Sequence, residues 1–273
     1  KKACLHNYSN FEVIIIADSL NEKTLNELRK LNIKLIEVSF KKSTKAKALN
    51  YTLSILKDDY QIAVVLDADN VMKRGALKIF SKGYLNNFKA MQGHRTAKNC
   101  NTNFAVLDAV SEEVNNHLYC KGTQALGFSS RLVGSGMAFD FKIFKNKMKD
   151  INAVGGFDKV LELALIESNI MIHYLDTAVI YDEKVEQAKV FSNQRKRWIS
   201  SQLFYLKKYF IKSLKGLLKG NIRYFFKASQ LLFPPRLLFP FLILLLIIIN
   251  ILFKSTLFST IWSIGLVIII LTY

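Results

Sequence analysis

The stretch Gln61-Ile62-Ala63-Val64-Val65-Leu66-Asp67-Ala68-Asp69-Asn70 decides the fold. Its apolar run is short, rich in β-branched residues and without a polar face. It therefore reads as a strand covered on both sides rather than as an amphipathic helix. The run stops at two carboxylates spaced i and i+2. In open sheets whose strands alternate with helices, ligands bind beyond the carboxyl ends of the strands. Asp67 and Asp69 then sit at that edge, where paired carboxylates suit a hard divalent cation such as Mg²⁺ or Mn²⁺. Such an ion bridges a diphosphate and neutralises a leaving group. The same residues also fit a plain turn or helix cap at Asp69-Asn70.

Upstream, Phe11–Ile16 (FEVIII) reads as another buried strand, Lys23–Lys30 as a helix and Ile33–Ser39 as a strand. Lys45–Leu56 reads as a helix with Leu49, Leu53 and Leu56 on one face. This alternation predicts an α/β fold with a mostly parallel, Rossmann-like sheet and right-handed crossovers. Asp18 ends the first strand much as Asp67 ends the third. Downstream, Gly134-Ser135-Gly136 predicts a tight turn that exposes backbone to a ligand. Gly155-Gly156-Phe157 leads into a helix over Asp158–Glu167, where Asp158 is either an N-cap or a general base facing the cleft. Gln194-Arg195-Lys196-Arg197-Trp198 combines an amide, guanidinium groups and an indole, which suit gripping a phosphate and stacking on a sugar. Trp198 also fits an ordinary interfacial anchor.

The chain has 273 residues, of which 51% are hydrophobic and 22% charged, a composition that excludes disorder and a disulfide scaffold. Cys4, Cys100 and Cys120 are scattered and odd in number, which points to a reducing compartment. The formal charge is +18, yet no acid follows Glu186, and thirteen Lys/Arg lie between Lys189 and Lys254. The remainder of the chain is only mildly basic, so the charge belongs to a collar and does not call for nucleic acid. Within the collar, Leu203, Leu206, Phe210, Leu214 and Leu217 recur at helical spacing, with Lys208, Lys212, Lys215 and Lys219 roughly opposite. That is the pattern of a basic helix lying on anionic lipid head groups. Two long apolar runs follow, Leu237–Phe253 and Thr256–Tyr273. At ~1.5 Å per residue the first spans roughly 26 Å, close to a hydrocarbon core, so the pair predicts a transmembrane hairpin. The basic flank places the preceding domain on the cytoplasmic side, at the inner membrane of a bacterium.

Taken in order, these motifs resemble the family 2 glycosyltransferases of the GT-A fold, in the branch of the membrane-integrated cellulose, chitin, hyaluronan and poly-N-acetylglucosamine synthases. The similarity runs from about Phe11 to Trp198 and into the collar. Through it, Asp18 in Ile16-Ala17-Asp18-Ser19 is implied to contact the nucleoside, and Lys45 in Lys45-Ala46-Lys47-Ala48-Leu49-Asn50 the diphosphate. Asp67 and Asp69 match the family's D-x-D, which meets nucleotide and metal. Gly134, Ser135 and Gly136 match a segment lining the acceptor site, and Gln194, Arg197 and Trp198 match Q-x-x-R-W, implied to hold the acceptor end and the donor diphosphate.

The family's catalytic base lies in Thr-Glu-Asp, eleven residues before a glycine that precedes a short strand. Asn169 takes that glycine's place, ahead of Ile170–Tyr174, and counting back gives Asp158, with Phe157 in place of the Glu. Glu162, one turn on, is the reserve base, and Lys47 stands where the family has glycine. The family's first strand would lie before Lys1, so the chain reads as a fragment.

The resemblance implies an inverting, metal-dependent hexosyltransferase that uses a UDP-sugar, with UDP-N-acetylglucosamine or UDP-glucose foremost. Its acceptor is a growing glycan or a lipid-linked molecule, and its cofactor Mg²⁺ or Mn²⁺. The expected divisions are a catalytic domain over 1–198, interface helices over 199–236 and the hairpin over 237–273. Two rival readings are a non-processive transferase and a non-catalytic basic protein that binds membranes or nucleic acid.

Overall fold

The computed structural model describes residues 7–153, 155–232, 238–253 and 256–272. Strands β1 (Ile14–Asp18) and β2 (Lys34–Val38) pair in parallel, joined by helix α1 (Glu22–Arg29). Helix α2 (Lys45–Ile55) leads to β3 (Ile62–Val65) and the short β4 (Val71–Met72). Helix α3 (Ala76–Leu85) and β5 (Ala90–Ala97) follow, then α4 (Asn103–Asn115), which runs through a π-helical stretch, Asn116–Gly122, into α5 (Thr123–Ala125). The sheet-bearing part of the chain closes with β6 (Met137–Asp140), α6 (Phe141–Met148), α7 (Phe157–Glu167) and β7 (Ile172–Asp182). The collar holds α8 (Ala188–Leu218) and α9 (Ile222–Ser229), followed by α10 (Leu238–Leu252) and α11 (Thr256–Thr272).

The main sheet has the order β3-β6-β5-β7-β4. Only β5 and β7 are parallel in it; β3–β6, β5–β6 and β4–β7 are antiparallel. The mostly parallel sheet expected from strand–helix alternation is therefore corrected to a mixed one. β6 is reached through α4 and α5 yet docks antiparallel to β5, and β4 is a two-residue edge, neither of which shows in hydrophobic periodicity. The first strand also starts later than Phe11, because only Ile14 onward pairs with β2.

Alternation along the strands divides the core. Met137 and Phe139 of β6, Ala90 of β5 and Ile172 of β7 face a large cluster with Leu49 and Leu53 of α2, Phe144 and Met148 of α6, and Leu161 and Leu165 of α7. Ala138, Met91, Ala178 and Ile180 face the other way, against Phe80 of α3. The sheet is thus sandwiched, and the turns beyond β3 and β7 gather with the loop before β6 at one edge.

Helix α8 runs unbroken through residue 198. Its inward side carries Tyr205 and Ser213, both buried, whereas Leu203, Leu214 and Leu217 of the apolar stripe are exposed, with Leu206 and Phe210 partly so. The two expected spans form α10 and α11, which pack against each other. Leu237 and Tyr273 lie outside the described residues. At 15 and 17 residues the helices measure ~22 and ~26 Å, and among the described residues no helix is long and apolar enough to cross a membrane. The hairpin expected over Leu237–Phe253 and Thr256–Tyr273 is thus present as a pair of packed helices, without a membrane span among the described residues.

Candidate active site

Thr44 caps helix α2, its side chain accepting from Lys47 N–H, and this makes Lys45 the first helical residue. From there the Lys45 ammonium forms an ion pair with the Asp67 carboxylate and donates to the Gly134 carbonyl at 2.8 Å. It also lies 5.6 Å from the centre of the Phe157 ring. Asp67 N–H donates to Ser135 Oγ at 2.9 Å. The Gly134-Ser135-Gly136 turn therefore meets both the Asp67 turn and the start of α2. Gly134 (φ +83°) and Gly136 (φ +65°) both occupy the left-handed region that glycine tolerates.

Asn70 extends this junction. Ser135 Oγ donates to its side-chain oxygen, and its Nδ2 donates to Asp182 Oδ1 at 2.7 Å and to Asp69 Oδ1 at 3.1 Å. Asp182 ends β7 and is paired with Lys184 at 2.8 Å. Burial pushes its carboxyl above the usual carboxylate range, Arg95 and Asn70 pull it back, and Asp69 and Asp67 add to the rise. Lys184 and Arg95 both pair with Glu112, so a buried ionic network backs the acidic turn. Asp18 accepts from Ser43 Oγ at 2.8 Å, two residues before Lys45.

Asp158 lies in the first turn of α7, after Gly156 at φ +63°. A methyl group on Gly134 would stand 3.9 Å from the Asp158 carboxylate, so the base candidate borders the same turn that meets Lys45. Asp158 is half-buried. Burial pushes its carboxyl up, Lys159 and Arg131 oppose this, and Glu162 reinforces it. The reserve candidate is differently placed. Glu162 is 5% exposed, accepts from Leu132 N–H at 3.0 Å and pairs with Lys227 of α9 at 2.8 Å. Both carboxylate oxygens are engaged, which leaves Asp158 as the freer acid.

The Gln194–Trp198 motif lies within α8, in the same helix as the basic stripe. Arg195, not Arg197, is its structural member. It pairs with Asp108 of α4 and lies 4.6 Å from the Phe191 ring centre and 4.5 Å from that of Trp198. Arg197 is exposed, Trp198 is 42% exposed, and the buried side-chain oxygen of Gln194 has no hydrogen-bond partner among the described residues.

The structure thus brings together Lys45, Asp67, Asp69, Gly134, Ser135 and Asp158, and sets Asp18 beside them through Ser43. Asn70, Asp182, Arg131 and Tyr205 were not singled out from sequence. Asp182 carried a usable signal, an acid ending a strand as Asp18 does, whereas Asn70 was masked by its acidic neighbours. Among the described residues no three His, Cys, Asp or Glu side chains are grouped to hold a metal by themselves.

The fold is similar to that of a mannosyltransferase from Pyrobaculum calidifontis solved with GDP-Man and Mn²⁺, with a TM-score of 0.54 and 16% identity over 85% of this chain and 68% of that one. A 4-diphosphocytidyl-2C-methyl-D-erythritol synthase from Anaerococcus prevotii aligns with a TM-score of 0.40 and 12% identity over 66% of this chain and 75% of that one. No curated protein sequence matches. Residues 2–201 match the sequence profile described as glycosyltransferase like family 2, and with its GT-A-like α/β fold the chain belongs to that family.

Proposed function

We propose that this glycosyltransferase moves a sugar, with inversion, from a UDP-sugar to an acceptor hydroxyl of a growing glycan at a membrane surface. The observation that carries the reading is the meeting of Lys45, Asp67 and Asp158 around the Gly134–Gly136 turn. Lys45 would leave Asp67 for the donor diphosphate, and Asp18 would face the nucleoside side. Asp158 would take the acceptor proton as the acceptor oxygen bonds to the anomeric carbon. The bond to the diphosphate breaks in the same step, and UDP departs with the electron pair. Gln194 and Trp198 would border the acceptor mouth, and Arg197 would meet phosphate.

Asp67 and Asp69 fit Mg²⁺ or Mn²⁺ by their chemistry. They are two hard oxygen donors open to solvent, too few for a closed site but suited to an ion whose shell a diphosphate completes. When bound, that ion would neutralise charge on the departing diphosphate. The Pyrobaculum protein was solved with Mn²⁺, which accords with a divalent cation here.

The membrane role rests on the collar. Its exposed leucines and acid-free basic face suit an anionic lipid surface, with the catalytic domain in the cytoplasm and α10 and α11 as the anchoring hairpin. The test is nucleoside-diphosphate release by the chain in membranes, across UDP-sugars and GDP-mannose, with and without Mn²⁺, followed by sizing of the product. Metal-dependent UDP release with a polymer supports the reading. Release with a single added sugar favours a non-processive transferase. No release from any donor favours a non-catalytic protein.

A further inference from the structure

Helix α7 is held from two sides. Its Leu161 and Leu165 belong to the catalytic core, whereas Leu163 and Ile166 pack against Tyr224 and Ala228 of α9. Three polar ties join this helix and the turn before it to the collar. At the far end, Lys212 of α8 pairs with Glu167 at 2.8 Å. In the middle, buried Lys227 of α9 pairs with Glu162 at 2.8 Å. At the near end, Tyr205 of α8, 4% exposed, donates its hydroxyl to the Gly155 carbonyl at 2.6 Å.

The near contact is close-fitting. A methyl group on Gly156 would stand 2.4 Å from Ser201 Oγ and 3.2 Å from the Tyr205 ring, so α8 rests directly on the backbone that turns into α7. Gly156 holds φ +63° there, and Asp158 follows two residues later. Side chains of the collar therefore touch the backbone two and three residues before Asp158. None of this is needed for packing the catalytic core, which is complete without Tyr205.

We infer that Tyr205 is a positioning residue for Asp158, and that the collar acts as a clamp on the base-bearing helix as well as a membrane-facing surface. The inference deepens the proposed function and rests on Asp158 being the general base. Through it, seating the collar on a surface and aiming the base become one mechanical arrangement.

The experiment compares Tyr205→Phe with the wild-type chain in membranes, on the donor that wild type uses best. The substitution removes one hydrogen bond and keeps the ring. The expected result is a fall in kcat of about three- to tenfold, the range one hydrogen bond supports, with donor KM and UDP affinity within twofold. Amide hydrogen exchange at Gly156–Asp158 should quicken while exchange in β5 and β6 is unchanged. An unchanged kcat would overturn the inference. So would a parallel loss of kcat, UDP affinity and sheet protection, since that marks a residue of general stability. If wild type releases no nucleotide from any donor, the transferase reading fails by itself. The exchange measurement still decides the clamp: faster exchange confined to Gly156–Asp158 upholds it, and unchanged exchange there overturns it.

Discussion

Lys45 and Asp67 form an ion pair that ties the start of α2 to the turn beyond β3, and the same ammonium reaches the Gly134 carbonyl at 2.8 Å. Both partners are part-exposed, so the pair adds little stability and is available for exchange with a substrate phosphate. Lys45→Met should weaken nucleoside-diphosphate binding by about tenfold to a hundredfold, the range of one charge-assisted hydrogen bond. Calorimetric titration with UDP measures it, and wild-type affinity in the variant would refute the assignment.

Asp69 is exposed, and among the described residues its side chain accepts from Asn70 alone. Asp69→Ala should therefore leave the thermal midpoint within about 1–2 °C, as surface changes usually do. UDP binding should lose its dependence on added Mn²⁺. A variant whose UDP affinity still rises with Mn²⁺ as in wild type would remove Asp69 from the metal site.

The pH dependence has a defined sign. A general base works deprotonated, and burial raises the Asp158 carboxyl. Activity should fall as pH drops through a value above the ordinary aspartate pKa of about 3.9. Arg131 opposes the rise, so Arg131→Gln should move the acid limb of the kcat profile to higher pH. A limb that stays in place or moves down would show that Asp158 does not govern it.

Glu162 and Lys227 are both buried, at 5% and 3% exposure, and Lys227 also donates to the Ser130 carbonyl at 3.3 Å. Lys227→Met leaves the Glu162 charge buried without its partner, a change that typically costs about 3–5 kcal/mol. Glu162→Gln in the same chain should recover part of that loss. Denaturant unfolding of the single and double variants measures both. A double variant less stable than Lys227→Met would contradict the pairing.

The cluster of Lys45 and Asp67 was largely legible in sequence because it depends on local patterns. A β-branched run ending in Asp67-Ala68-Asp69 announces both a strand and a sheet edge, and Lys45 opens a stretch with Leu49, Leu53 and Leu56 on one helical face. The mixed sheet was not legible, since strand direction depends on where β6 and β4 dock and not on their own residues. Nor was the engagement of Glu162, whose partner Lys227 lies sixty-five residues further on. Arg195 shared the same limit: it was read as part of a phosphate-gripping run, and only its distant partner Asp108 shows it holding α8 to α4.

The central claim is that Asp158 removes the acceptor proton during glycosyl transfer. The most direct measurement is UDP release by Asp158→Asn under saturating donor, beside calorimetric UDP binding to the same preparation. Loss of a general base should lower turnover by about 10²–10⁴-fold with UDP affinity retained. Turnover near the wild-type rate would contradict the account.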